Sequence, residues 1–167
     1  LAALGHSVTE GVMPVDLDLF DRHWPNMTAA GLSWLLRGQD RHGKVGAIYD
    51  EMMAHAAMLT AADYIEALNA FREVQAQFAV AFRDWDVIVT PSAGSLPWDA
   101  AQFGPAHHRA FTGIVNAGGL PGLNVPVDPS PDGLPIGVQL IGRYGADWEL
   151  IALARQYEAA HPWADRW

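Results

Sequence analysis

Acyl-transfer chemistry in this sequence has to come from five serines, seven histidines and one lysine, because there is no cysteine. A serine nucleophile needs a base within hydrogen-bond reach and donors aimed at the developing oxyanion. None of Ser7, Ser33, Ser92, Ser95 and Ser130 lies in a Gly-x-Ser-x-Gly elbow. Ser92-Ala93-Gly94-Ser95 is the most suggestive group, but a small-residue loop after a strand is ordinarily a turn, and it is read as one. The histidines, His6, His23, His42, His55, His107, His108 and His161, show no His-Glu-x-x-His pattern and no spacing that puts two imidazoles on one helix face. The adjacent pair His107-His108 would point to opposite sides of an extended segment. No metal site is expected. Gly118-Gly119-Leu120-Pro121-Gly122 lacks both the P-loop lysine and the Rossmann spacing, so its glycines are read as a tight backbone path beside a sheet, and no cofactor is expected.

Composition narrows the classes further. Ten Lys and Arg stand against 19 Asp and Glu, a formal charge of -9, so the clustered cations that release counterions from a phosphate backbone are missing and no nucleic-acid partner is expected. Half of the residues are hydrophobic, enough to build a core in 167 residues. No run approaches the roughly 18 apolar residues of a membrane helix, and no basic flank precedes an apolar core at the amino end. The absence of cysteine is compatible with a reducing compartment, and a soluble, cytoplasmic protein with no membrane partner is expected.

The elements that would position these residues can be read in order. Leu1 to His6 resembles the last turn of a helix closed by Gly5, with Ser7-Val8-Thr9 strand-like after it. A chain without an initiator Met that opens in the last turn of a helix is expected to be the carboxyl-terminal part of a longer protein. Between Asp16 and Leu36 the apolar residues recur at helical spacing, interrupted by Pro25 and Gly31, which predicts a broken or kinked helix pair rather than one rod. Gly38 to Gly46, with Arg37, Arg41 and Lys44, reads as a solvated loop rather than an anion site. Thr60 caps a helix of about 22 residues, with Asp63 in its first turn. Its aromatic stripe, Tyr64, Phe71, Phe78, Phe82 and Trp85, reads as core rather than a cofactor box. Val87-Ile88-Val89 is a buried strand ended by Thr90-Pro91, and the loop Ser92 to His108 follows where open α/β sheets place ligands. Leu123 to Val127 and Ile136 to Ile141 read as two more strands with an Asp132-Gly133 turn between them. The chain closes with a helix over 147–161, started by Asp147 and stopped by Pro162, and with Trp163 and Trp167 expected to pack against the body.

One stretch carries a resemblance. Phe111-Thr112, Asn116, Gly119, Leu120-Pro121, Val125-Pro126 and the run Gly133 to Gly142 fall in the order seen near the carboxyl end of amidase-signature enzymes. Asp86 to Pro91 resembles that family's strand and Thr-Pro loop, and Glu149 to Trp163 its closing helix. The implied fold is α/β: the carboxyl-terminal portion of the amidase-signature fold, a mixed β-sheet flanked by helices. The implied organisation is one partial amidase domain over 1–167, mostly helical over 1–85, with sheet segments and loops over 86–142 and the closing helix last.

The same resemblance implies hydrolysis of a carboxylic amide through an acyl-enzyme on serine, with a second serine in a cis peptide relaying protons to a lysine. No Gly-Gly-Ser-Ser-Gly-like motif occurs here, and Lys44 has no matching context, so this chain is expected to hold no catalytic residue and to be inactive alone. Thr90, Pro91 and Ser92 resemble the loop that approaches the substrate pocket, and Phe111, Thr112 and Asn116 the segment leading into the family's Asn-x-x-Gly-x-Pro. These six are the substrate-pocket candidates, although Asn116 could equally bond its local backbone. Gly122 and Asn124 depart from the family pattern, where Ala and Ser are usual, as does Val115, where an aromatic is common. The expected partner is a small amide, bound together with the missing half. A sheet edge and apolar face left open by that half predict homodimerisation or aggregation. Two alternatives stand beside this reading: a non-catalytic binding or assembly module that keeps the half-fold, and an unrelated small hydrolase using Ser92 or Ser95 with a histidine.

Overall fold

The computed structural model describes residues 1–41, 43–102, 104–105 and 108–164, which fall into two compact units, 16–74 and 1–15 with 75–167. In the first unit, Asp16 starts helix α1 (Leu17–Leu35) by accepting the Leu19 N–H at 2.8 Å. Of the two forms expected at Pro25 and Gly31, a break does not occur, and α1 is one helix with Pro25 inside it. A proline inside a helix lacks an N–H and crowds the carbonyl one turn back, a cost of about 3 kcal/mol. Against it stands an aromatic cluster: Phe20, fully buried, lies 4.9 Å from Trp24 and 6.2 Å from Phe71, ring centre to ring centre. Burying one such ring contributes about 1.5–3 kcal/mol, so it is the cluster of three rings, not one, that outweighs propensity. Thr28 Oγ1, one turn on, donates to the carbonyls of Trp24 (2.9 Å) and Pro25 (3.1 Å).

Helix α2 (Ala47–Met58), rich in Ala and Met, has no apolar stripe to mark it in the sequence, and it buries no residue. Helix α3 (Ala61–Ala81) begins with the expected cap, and the cap is reciprocal. Thr60 donates to Asp63 Oδ2 through both Oγ1 (2.6 Å) and its backbone N–H (2.8 Å), while the Asp63 N–H donates back to Thr60 Oγ1 at 3.2 Å. The buried face of α3 differs from the aromatic stripe. It is Ala67, Ala70, Val74, Phe78 and Ala81, whereas Tyr64 and Trp85 are exposed. Small side chains at helical spacing let neighbouring elements approach, and of the rings only Phe78 is fully buried there.

The second unit is built on three strands, β1 (Val87–Pro91), β2 (Gly122–Pro126) and β3 (Gly137–Gly142), in the order β1-β3-β2. Every pairing among the described strands is antiparallel, so β1 and β2 run the same way with β3 laid between them. Helix α4 (Ala110–Gly118) lies between β1 and β2 in the chain, and Gly119, at φ 65°, ends it by donating to Asn116 O. On one sheet face Val125 and Leu140 pack with Leu150 of α5 (Asp147–Ala160), joined by Leu123, Val138, Leu153, Ala154 and Tyr157. The β2–β3 connection turns at Asp132-Gly133 as expected, with Gly133 at φ 79°. Ser130 braces it, accepting from the backbone N–H groups of Gly133 (2.8 Å) and Leu134 (3.0 Å).

The ends correct two details. Gly5 does close a turn, a short 3-10 turn over Ala2–Leu4, but Ser7 to Thr9 form no strand. With no partner strand beside it, that segment leaves its backbone groups to solvent, and Val8 is exposed. Helix α5 takes Ala146, not Asp147, as its N-cap; Asp147 and Glu149 instead sit in the first turn, favourable to the helix dipole. Trp163 is half-buried as expected, and Trp167 lies outside the described residues. Among the described residues no helix is long and apolar enough to cross a membrane.

Candidate functional site

Antiparallel registry places directly opposed residues on the same sheet face. Thr90 of β1 opposes Gln139 of β3, and Gln139 opposes Asn124 of β2, so three polar side chains form one row across the strands. Ser92, two residues beyond Thr90, extends the row, since alternate residues share a face. This is the face opposite Val125 and Leu140. Beyond the row its residues are apolar: Ile88 and Ile141, the latter fully buried, as is Ile114 of α4.

Gln139 organises the row. It is 3% exposed, and its Nε2 donates both hydrogens: to Thr90 Oγ1 at 3.2 Å and to Phe111 O at 3.1 Å. Thr90 Oγ1 in turn donates to Pro91 O at 3.1 Å, which leaves its lone pairs for Gln139. A flipped amide would set oxygen against the Phe111 carbonyl, so the orientation is fixed. At the open end Ser92 Oγ donates to Asn124 Oδ1 at 2.6 Å, and the Ser92 N–H donates to Gly137 O at 3.0 Å. Gly137 is required there, because a Cβ at that position would lie 2.7 Å from Ser92 Oγ.

The six residues expected near a pocket therefore separate. Thr90, Ser92 and the carbonyl of Phe111 meet through the row. Pro91 is exposed, pairs with Val138 in the ladder, and its carbonyl accepts from Thr90 Oγ1. Thr112 Oγ1 donates back to Arg109 O at 3.3 Å, and Asn116, exposed, donates to Thr112 O at 3.0 Å, so both bond within α4. Gln139 and Asn124 were not among the six. Their signal was available: each is an amide inside an apolar run, Gly-Val-Gln-Leu-Ile-Gly and Leu-Asn-Val, where a polar group persists only if hydrogen-bonded.

What the row can do is hold and orient; it contains no base. The Ser92 hydroxyl is committed to an amide oxygen, which does not take a proton at neutral pH, and Ser95 Oγ is buried with no hydrogen-bond partner among the described residues. The small-hydrolase reading thus finds no serine–histidine pair among the described residues. In the loop after β1, His108 Nδ1 bonds Pro105 O at 2.7 Å and its ring meets Trp98 edge-on at 5.0 Å; His107 lies outside the described residues. No group of three or more His, Asp or Glu that could hold a metal occurs among the described residues. A separate open depression of about 320 Å³ lies at the other end of α4, lined by Gln75, Phe82, Gly118, Leu120 and Tyr144 among others, and contains none of the row.

Comparison with known proteins places these features. A family model described as Amidase matches residues 18–151. A glutamyl-tRNA(Gln) amidotransferase subunit from Ectopseudomonas mendocina (strain ymp) is 36% identical over 105 residues, 60% of this chain and 22% of that protein. An acylamidase of Rhodococcus erythropolis is 30% identical over 144 residues, 79% of this chain and 30% of that protein. Among solved structures, 6-aminohexanoate cyclic dimer hydrolase with bound substrate superposes with a TM-score of 0.78 at 24% identity, over 97% of this chain and 39% of that one. A bacterial aryl acylamidase of the amidase signature family gives 0.75 at 21%, over 92% and 36%. The chain thus spans 22% to 39% of the length of these relatives.

Proposed function

We propose, starting from the fact that this chain belongs to the amidase family, that it is the carboxyl-terminal part of an enzyme hydrolysing a carboxylic amide C–N bond through a serine acyl-enzyme. The nucleophilic serine, the relay serine in its cis peptide and the lysine belong, in this reading, to sequence upstream of Leu1. The observation that carries it is a mismatch of extent. The family match covers 18–151 of the chain, yet the relatives are far longer, and among the described residues neither Ser92 nor Ser95 bonds a base.

In such an enzyme the residues of this chain would position rather than react. The sheet fixes Gln139, Gln139 fixes the first turn of α4 through Phe111 O, and Ser92–Asn124 ties the loop after β1 to β2. A small amide substrate would bind between this part and the upstream part.

Two measurements test the proposal. The native gene product in its own cells should have an intact mass far above that of 167 residues. The purified 167-residue chain should release no amine from aryl or aliphatic amides, while the full-length product does. A native product of 167 residues, or turnover by the short chain alone, would overturn the assignment.

A further inference from the structure

The depression at the C-terminal end of α4 takes no part in the polar row. Its volume of about 320 Å³ suits a small molecule, and Gln75, Phe82, Gly118, Leu120 and Tyr144 are among the residues that line it. Three features of this wall favour one kind of guest. The first is the end of α4, where the helix dipole is negative. Asn116 O and Val115 O are taken there by the backbone N–H groups of Gly119 and Leu120, and Ala117 O by Gln75 Nε2 at 3.0 Å, but Gly118 O receives no donor among the described residues. Gln75, holding that carbonyl through Nε2, keeps Oε1 as a second acceptor. The second feature is a pair of rings, Phe82 and Tyr144, whose faces attract cations. Tyr144 lines the depression yet is 87% exposed, so it stands at the rim. The third is charge: no Lys or Arg lines the depression, Arg143, next to Tyr144 in the chain, is committed to Glu149 at 2.9 Å, and the formal charge of the chain is -9.

We propose that this depression binds an organic ammonium, a primary amine carried on an apolar or aromatic body. The N–H groups of the charged head match the Gly118 carbonyl, Gln75 Oε1 and the ring faces, while Ala79 and Leu120 take the body. A neutral apolar guest would leave the carbonyl without a donor, and an anion would meet the negative end of α4 with no cation in the wall. A bare metal ion is no better served, because no carboxylate or imidazole lines the depression. None of the lining residues belongs to the polar row, so the proposal stands independently of the amidase reading.

The test uses the full-length native product at neutral pH, with benzylamine and its uncharged counterpart benzyl alcohol as probes and calorimetry as readout. Benzylamine is expected to bind about tenfold more tightly, from the helix terminus and the ring faces together. Tyr144→Ala removes a ring that is mostly exposed, so the fold is kept, and should cut the preference about threefold. Ala79→Lys, at an exposed helical position, sets a cation in the wall and should abolish the preference, whereas Ala79→Glu at the same position should raise it. Opposite shifts in the two Ala79 variants, with unfolding midpoints unchanged, would establish the site. Equal binding of the two probes, no binding of benzylamine at millimolar concentration, or a preference that Tyr144→Ala and Ala79→Lys both leave intact overturns the proposal.

Discussion

The helical unit and the sheet unit hold their polar side chains in different places. In the helical unit the capping side chains sit at helix ends, as with Asp16 on Leu19 and the Thr60–Asp63 pair. Those within helices, Thr28 and the Asn26–His55 pair, lie beside an aromatic cluster, and none of these forms a row across elements. In the sheet unit Thr90 and Gln139 lie inside the hydrogen-bonded ladder, each under a tenth exposed. End caps satisfy groups that water would otherwise serve, so they stabilise without specifying anything further. A polar row inside a sheet is tolerated only where every registry position agrees, which makes it a device for placing atoms. The difference assigns stability to one unit's polar groups and position to the other's.

Three substitutions sharpen that contrast. Leu140→Ala removes a fully buried side chain from the middle strand, and should destabilise by about 3 kcal/mol in urea unfolding. A loss below about 1 kcal/mol would mean the sheet core repacks and does not set the row. Pro25→Ala acts with the opposite sign. It restores a helical N–H and a better helix former, offset by a freer unfolded chain, for a net gain of about 1–2 kcal/mol, read as slower hydrogen exchange in α1. A loss would show that the proline is built into the packing of α1. Thr60→Ala, the smallest, should cost about 1 kcal/mol and speed exchange in the first turn of α3.

The cap also carries a pH signature. Hydrogen bonds from the Thr60 side chain, and then from its backbone N–H, hold the Asp63 carboxyl below its usual value, with His55 adding a smaller pull. A lowered folded pKa means the unfolded chain binds more protons in acid. The contribution is therefore complete above the ordinary carboxylate range and is lost as pH falls through the lowered folded value. In Thr60→Ala the acid-induced loss in α3 should shrink, and an unchanged acid limb would show that the carboxylate is held by something else.

Legibility followed the range of the interaction. The three strands, the Asp132-Gly133 turn, the Thr60 cap and the closing helix are short-range patterns, and each stands close to where the sequence placed it. Pro25 misled because a local penalty was overridden by Phe71, distant in sequence. Helix α4 is obscured in the sequence by Gly113 and Gly118 within it, although its C-terminal Gly119 is an ordinary stop. Of the polar row, Thr90, Ser92 and Phe111 stand out in the sequence. Gln139 and Asn124 were not proposed, because their roles depend on which strand lies beside which, and β3 inserts between two strands that precede it. No spacing along the chain reveals that order.

That insertion also has a consequence during synthesis. Of these three strands the middle one is made last, so β1 and β2 leave the ribosome before the strand that pairs with both, and wait for Gly137–Gly142 to arrive. Sheet formation is set by late, distant contacts, the slow kind. Until β3 emerges, the apolar strands around Val87 and Leu123 stand as open edges that invite other nascent chains, and a stall before Gly137 would release a product bound for chaperones or proteolysis rather than a shorter stable fold.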